Sequence, residues 1–308
     1  MEMRTLRYFL EVAREENMSN AAERMHVSQS TISKQLKGLE AELGKKLFIR
    51  HSFSIALTEE GMLLRKRAED LLSMADKITE EFSAMDDIIG GNIYFGCAES
   101  YQIRYLARVI QRFKRKYPMF HYHITSGDTE QVTEKLDKGL LDFAIIVEEP
   151  DAKKYQILQM PEADRWGVIM PAECDLAKKD AVVFEDLIGL PLFCSEQGWR
   201  ADLPKWCGER LKELTLEGSF RLSYNGAVFA REGLGYLLTF EYLVDTSESS
   251  GLVFRPLVPT LETNMYIIWR KHHAFTPIAE RFIQQLQADL RNGGGRDAVE
   301  KTDRKRKR

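Results

Sequence analysis

Apolar side chains recur at helical spacing from the start of the chain. Leu6, Phe9, Leu10 and Ala13 fall on one face and predict an amphipathic helix over residues 4–16. Ser19 or Asn20 is the expected N-cap of a short second helix through Ala21, Ala22, Glu23, Arg24 and Met25, whose two alanines admit a close neighbour. His26 and Val27 make a tight break. Ser28 then caps a third helix with a buried stripe of Ile32, Leu36, Leu39 and Leu43, ended by Gly44.

The period changes after Thr58. That residue caps a segment with Glu59 and Glu60 in its first turn, and Gly61 is its only Gly or Pro as far as about Asp87, which predicts one long helix. Leu64, Ala68, Leu71, Ala75, Ile78, Phe82 and Met85 alternate spacings of four and three. A 3.5-residue repeat is a coiled-coil seam and asks for a partner helix. The alternative is that the helix packs on its own chain.

Beyond Gly90-Gly91, read as a flexible break, strand and helix patterns alternate: NIYFGCA, YQIRYLARVIQRFKRKYP, FHYHITSG, DTEQVTEKLDKGLL and DFAIIVEE. A second unit begins near residues 159–165, with strands at GVIMP, PLFCSE, SFRLSY and GYLLTF and helices at 201–213 and 226–232. The strand NMYIIWRK and a helix over 276–291 then return to the first unit. Such alternation predicts largely parallel sheet with helical crossovers.

The face of the third helix opposite its apolar stripe displays Gln29, Ser30, Thr31, Ser33, Lys34 and Lys37, with no acid before Glu40. Taken alone, this suits a solvated surface as well as a helix that reads base edges. In a groove, Gln pairs bidentately with adenine, Ser and Thr reach bases or phosphates, and Lys meets guanine or the backbone.

The segment SNAAERMHVSQSTISKQLKGLEAELGKKLFIR, residues 19–50, resembles the DNA-binding part of the LysR-type transcriptional regulators. The shared pattern is an Ala-Ala helix, a short turn, Ser-Gln-(Pro or Ser)-x-aliphatic-Ser, then Leu-Glu-x-x-Leu-Gly-x-x-Leu-Phe-x-Arg. Leu57, Thr58 and Gly61 resemble the Leu-Thr-x-x-Gly at the exit of the family's wing. Two positions depart: Gly38 stands where a basic residue is common, and the wing, Arg50, His51, Ser52 and Phe53, is thinly basic, leaving Arg50, Lys45 and Lys46 as its main cations.

The resemblance, which extends to about residue 292, implies four parts. These are a winged helix-turn-helix over 1–60, a linker helix for dimerisation over 58–89, an α/β effector-binding domain over 90–292 and a disordered basic tail over 293–308. The effector domain resembles the periplasmic type 2 solute-binding fold, with subdomain I at about 92–160 and 268–292 and subdomain II at about 161–267. Contacts to double-stranded DNA are expected from Ser19, Asn20, Ser28, Gln29, Ser30, Thr31, Ser33, Lys34, Lys37 and Arg50. Family practice adds pairing of dimers into tetramers and RNA polymerase as a further candidate partner.

Ligands of open α/β sheets sit beyond the carboxyl ends of strands, beside helix N-termini. That rule, with the resemblance, selects Ser100, Tyr101, Gln102, Thr125, Ser126, Val147, Ser195, Asn225 and Thr239 as effector-binding candidates. Glu99, which the same rule places after the first strand, argues against a purely anionic ligand. Thr239-Phe240 stand where the family usually has Pro, so the cleft wall is expected to differ.

Composition narrows the function classes. The net charge is -3, so any DNA affinity must be local rather than global. Cys97, Cys174, Cys194 and Cys207 show no C-x-x-C pair, which reads as reduced thiols, although Cys194 and Cys207 invite comparison with family members that sense oxidants. No stretch approaches the roughly 20 apolar residues of a membrane span, and the N-terminus lacks a signal-peptide pattern, so a cytoplasmic protein without membrane contact is expected. An exported solute-binding protein would need such a signal. No G-x-S-x-G, P-loop, H-E-x-x-H or dinucleotide turn is present, so no catalytic residue, cofactor or metal is assigned. His121 and His123 share a strand face that could chelate a metal, but they read more simply as surface histidines.

Overall fold

The computed structural model describes residues 1–50, 54–84 and 90–291. Wing residues His51, Ser52 and Phe53, the seam position Met85, the side chain of Arg50 and the tail over 293–308 lie outside the described residues. The chain divides into two compact units, Met1–Ser83 and Ala84–Arg308.

In the first unit, α1 (Met3–Glu15) buries Thr5, Leu6, Tyr8, Phe9 and Val12, so its stripe is centred on Phe9 and Val12 rather than Leu10 and Ala13. α2 (Met18–Arg24) is capped by Asn17, whose Oδ1 accepts the amides of Ser19 at 2.8 Å and Asn20 at 3.1 Å. The cap expected at Ser19 or Asn20 thus lies earlier, because starting at Met18 puts that side chain on the core face with Ala21 and Ala22. His26 takes a left-handed φ of 54° between α2 and α3 (Gln29–Leu43). Ser28 Oγ caps α3 by accepting the Thr31 amide at 3.2 Å, and Gly44 ends it at φ 65°. Ile32, Leu36 and Leu39 are buried, whereas Leu43 is 41% exposed; Leu47, past the turn, enters the core instead.

β1 (Phe48–Arg50) and β2 (Ile55–Leu57) form an antiparallel pair with Phe48 opposite Leu57. Thr58 Oγ1 donates to the Lys46 carbonyl at 2.7 Å and accepts the Gly61 amide at 2.9 Å, which starts α4 (Glu59–Ala84). The helix enters so close to β1 that a Cβ on Gly61 would stand 2.2 Å from the Leu47 carbonyl oxygen. Further along α4, Ala68 and Leu72 are buried in the core of the first unit.

The second unit holds β3 (Gly90–Cys97), α5 (Ile103–Lys116), β4 (Met119–Ser126), α6 (Thr129–Asp137), β5 (Phe143–Ile146), β6 (Tyr155–Pro171), β7 (Pro191–Ser195), α7 (Leu203–Cys207), β8 (Thr215–Phe220), α8 (Ser223–Arg231), β9 (Tyr236–Phe240), β10 (Leu252–Pro256), β11 (Glu262–Arg270) and α9 (Pro277–Arg291). The strand order is β4-β3-β5-β11-β6-β9-β7-β8, with β10 also on β6. β3 lies parallel between β4 and β5 in lobe one, and β7 parallel between β8 and β9 in lobe two. The antiparallel pair β6/β11 joins them: the first part of β6 pairs with β11, and the stretch from Trp166 onward pairs with β9 and β10.

Lobe one is packed around Phe282 of α9, whose ring lies 5.3 Å from Phe95 and 5.2 Å from Phe113. Each such side chain, fully buried, stabilises by about 1.5–3 kcal/mol. Four expectations need correction. Gly90-Gly91 is no break but the first rung of β3, paired with Met119 and Phe120. GVIMP is the end of one 17-residue strand. Residues 201–213 are not one helix, because Gly208 at φ 57° divides α7 from a 3-10 segment. The strand expected at SFRLSY is β8, which ends at Phe220, after which the chain turns into α8.

Candidate nucleic-acid interface and interlobe cavity

α3 presents Gln29, Ser30, Thr31, Lys34 and Lys37 as exposed side chains, with Ser33 half-buried. Lys34 and Lys37 have no acidic partner among the described residues. The N-terminal end of the helix projects hydroxyls in one cluster: Ser28 Oγ lies 2.9 Å from Ser30 Oγ and 2.7 Å from Thr31 Oγ1. Ser28 is therefore committed to capping, while among the described residues Gln29 has one side-chain contact, to Met18 Sδ at 3.8 Å. Ser19 and Asn20 are exposed on the first turn of α2.

The cations at the base of the wing are engaged. Lys46 Nζ meets Glu40 Oε2 at 2.9 Å and Lys45 meets Glu60 at 3.4 Å. Burial works against ionisation of Glu40, but hydrogen bonds from the Leu47 amide and Lys46 outweigh it and hold the carboxyl below its usual range. Among the described residues, the positive charge on this face without an acidic partner is that of Lys34 and Lys37.

The seam residues of α4 divide. Leu64 packs partly on the core of its own unit, and Ala68 is buried there, which corrects the assignment of Ala68 to a partner-facing seam. Ala75 is half-buried, whereas Leu71, Ile78 and Phe82 are 39%, 46% and 67% exposed.

Between the lobes of the second unit lies a cavity of about 320 Å³. Of the sequence candidates it takes Val147, Ser195 and Thr239 as lining, with Glu99 and Phe240 beside them. The lobes are tied across it. Glu99 Oε2 accepts the Ser223 amide at 2.6 Å, Gln197 bonds the Thr129 amide at 3.2 Å and its hydroxyl at 2.9 Å, and Arg221 pairs with Asp128 at 3.7 Å. Ser223 and Thr239 share a hydroxyl contact of 2.8 Å. Burial and the Asp202 carboxylate push Glu148, next to Val147, above the usual carboxylate range.

Other candidates stand elsewhere. Ser100 is buried against the Asp164 carboxylate and caps the Gln102 amide at 3.0 Å, so it does not line the cavity. Tyr101 and Gln102 border a separate hollow of about 360 Å³. Thr125 and Ser126 end β4, and Asn225 is exposed in the first turn of α8; none of the three lines the cavity. Asp128, Gln197, Asp202, Arg221 and Ser223 also line the cavity and are not among the sequence candidates. Asp128 alone left a signal, its capping box with Gln131 at the start of α6.

Burial raises the thiol of Cys97 to about 12 and also raises Cys194 and Cys207, which disfavours the reactive thiolate. His123 stacks on Tyr94 at 4.7 Å and contacts Asn92 Oδ1 at 3.0 Å. Among the described residues no group of three or more His, Cys, Asp and Glu is placed to hold a metal, and no helix is long and apolar enough to cross a membrane.

Two family models match the chain: "Bacterial regulatory helix-turn-helix protein, lysR family" over residues 3–62 and "LysR substrate binding domain" over 89–291. The HTH-type transcriptional regulator IlvY of Escherichia coli (strain K12) is 28% identical over 199 residues, 64% of this chain and 67% of that protein. A probable nitrogen assimilation transcriptional activator of Synechococcus elongatus is 27% identical over 301 residues, 92% of this chain and 94% of its own. The crystal structure of CbnR, a LysR family transcriptional regulator, superposes with a TM-score of 0.73 at 22% identity, covering 94% of this chain and 99% of that one.

Proposed function

The chain belongs to the LysR family of bacterial regulatory helix-turn-helix proteins, and we propose from that premise how its parts divide the work of a transcriptional regulator. Residues 1–60 read DNA, 58–89 pair two copies, and 90–292 bind an effector between subdomains at about 92–160 with 268–292 and at about 161–267. Gln29, Ser30, Thr31, Ser33 and Lys34 reach base edges, while Lys37, Arg50, Ser19 and Asn20 meet phosphates. The observation that carries this reading is the run of exposed hydrogen-bonding side chains at the N-terminal end of α3, flanked by two lysines without an acidic partner among the described residues.

Two recognition helices are needed to read a two-fold symmetric site, and the exposed Leu71, Ile78 and Phe82 of α4 supply an apolar face for pairing. Pairing of dimers into tetramers and contact with RNA polymerase follow the family pattern, as does a place in the cytoplasm. Val147, Ser195 and Thr239 contact the effector; Ser100, Tyr101, Gln102, Thr125, Ser126 and Asn225 support the surrounding turns. An effector acts by binding one arrangement of the lobes better than another.

Footprinting on DNA upstream of the gene and its neighbours tests the proposal, with Gln29, Ser33 and Lys34 replaced one at a time. Loss of discrimination between sites marks a base contact, and uniform weakening with a flatter salt dependence marks a phosphate contact. Binding like the wild type in all three variants would remove α3 from the groove.

A further inference from the structure

Four carboxylates border the interlobe cavity: Glu99 and Asp128 from lobe one, Glu196 and Asp202 from lobe two. Arg221 is the one cation among the described lining residues, and it is paired with Asp128. We infer that the cavity takes a small organic cation, an amine with an apolar body, rather than a carboxylate or phosphate; this rests on the effector reading above and gives the ligand its chemical class.

Two amides at which an anion would dock are already held by the protein's own carboxylates. Glu99 holds the Ser223 amide that opens α8, and Asp128 Oδ1 holds the Gln131 amide of α6 at 2.8 Å. A helix N-terminus attracts anions through its free amides, and these two are spent. An incoming carboxylate would meet like charge from both lobes.

Asp202 gives the complementary observation. It is 1% exposed, yet it borders the cavity. Its Oδ1 takes both Lys205 Nζ at 3.1 Å and Thr263 Oγ1 at 2.9 Å, and no described residue donates a hydrogen bond to Oδ2. Asp202 thus lines the cavity with one carboxylate oxygen still open to a donor, and an ammonium brings three N–H donors and the opposite charge. Trp166, Phe220 and Phe240 give the body of the ligand an apolar and aromatic wall, to which a cation is also attracted. Because the carboxylates come from both lobes, a cation between them relieves their mutual repulsion and favours the closed arrangement. Ligand charge and lobe closure are thereby coupled.

The test uses the full-length protein at constant ionic strength. Thermal unfolding and tryptophan fluorescence are followed with ethylamine, putrescine and phenethylamine against propionate, succinate, phenylacetate and phosphate, and DNA retention is measured on the same samples. An amine should raise the unfolding temperature saturably, and Asp202→Asn and Glu196→Gln should each weaken it by about tenfold. Asp202→Asn risks misfolding, so the exposed Glu196 keeps the test decisive. Binding of the carboxylates or phosphate without the amines, binding of no probe, or amine binding indifferent to Glu196→Gln each overturns the cation assignment. A carboxylate that binds and alters DNA retention sinks that assignment while leaving the effector reading intact. Binding of any probe without effect on DNA retention counts instead against the effector reading.

Discussion

Glu99 and Ser223 are 124 residues apart, yet the carboxylate of one accepts the backbone amide of the other at 2.6 Å, so a side chain of lobe one caps a helix of lobe two. The bond replaces a cap that Leu222, the residue before α8, cannot supply from its own side chain.

Glu99→Ala leaves that amide without its charged acceptor, and a loss of about 1–2 kcal/mol is expected from comparable caps. Heat or urea unfolding of the full-length protein measures it. An unchanged midpoint would mean that the bond is not held in solution.

Gly38 sits in the middle of α3 with nothing within 4 Å of the place its Cβ would occupy. Gly38→Ala should therefore stabilise by about 0.5–1 kcal/mol, the ordinary helix-propensity difference. Gly38→Lys restores the basic residue common in the family at this position. If it adds one phosphate contact, the salt dependence of DNA binding should steepen by about one unit.

Gly61 behaves in the opposite way, because its missing side chain is what lets α4 approach the Leu47 carbonyl. Gly61→Ala should cost about 1–3 kcal/mol through displaced backbone. The two glycine variants, compared in one unfolding series, should move in opposite directions.

The lowered carboxyl of Glu40 means that folding favours its ionised form. Its stabilisation is complete above the unfolded carboxylate value of about 4.3 and is lost as pH falls through the lower folded value. Glu40→Gln should thus be most destabilising near neutral pH, with the gap to wild type closing below about pH 4. A gap that is constant with pH would assign the role of Glu40 to shape rather than charge.

Ile78→Glu places a charge on the exposed apolar face of α4 while leaving Ala68 and Leu72, in the core of the first unit, untouched. Sedimentation should show a shift toward monomer, and DNA affinity should fall with it, because one recognition helix alone reads half a site. A stable dimer in this variant would move the pairing surface elsewhere.

Much of the fold was legible from local pattern. The three helices of the first unit, the long α4 and the alternation of strands and helices all follow from periodicity, since burial of one face is a property of a segment and its spacing. The misreadings have physical causes as well. Asn17 rather than Ser19 caps α2 because two good caps stood close together and the burial of Met18 chose between them. The spacing of α4 reads as one stripe, but the helix packs Ala68 into its own core, and among the described seam residues Leu71, Ile78 and Phe82 are the exposed ones. β10 is not legible from local pattern, because its partner on β6 lies far away in the chain.

The candidate site shows the same division. Strand ends pointed to Val147, Ser195 and Thr239, which line the cavity, and equally to Ser100, which turns inward to Asp164. What the sequence by itself determined was the family, through its ordered helix-turn-helix motif, together with the helices, most of the strands and the polar face of α3. Only the tertiary structure decided which side chains meet across the cleft, that Glu99 occupies the start of α8, and that the cavity wall is acidic. Periodicity reports the environment of a residue within its own element, whereas a cleft is made by residues distant in sequence whose meeting depends on how β6 and β11 carry two lobes past each other.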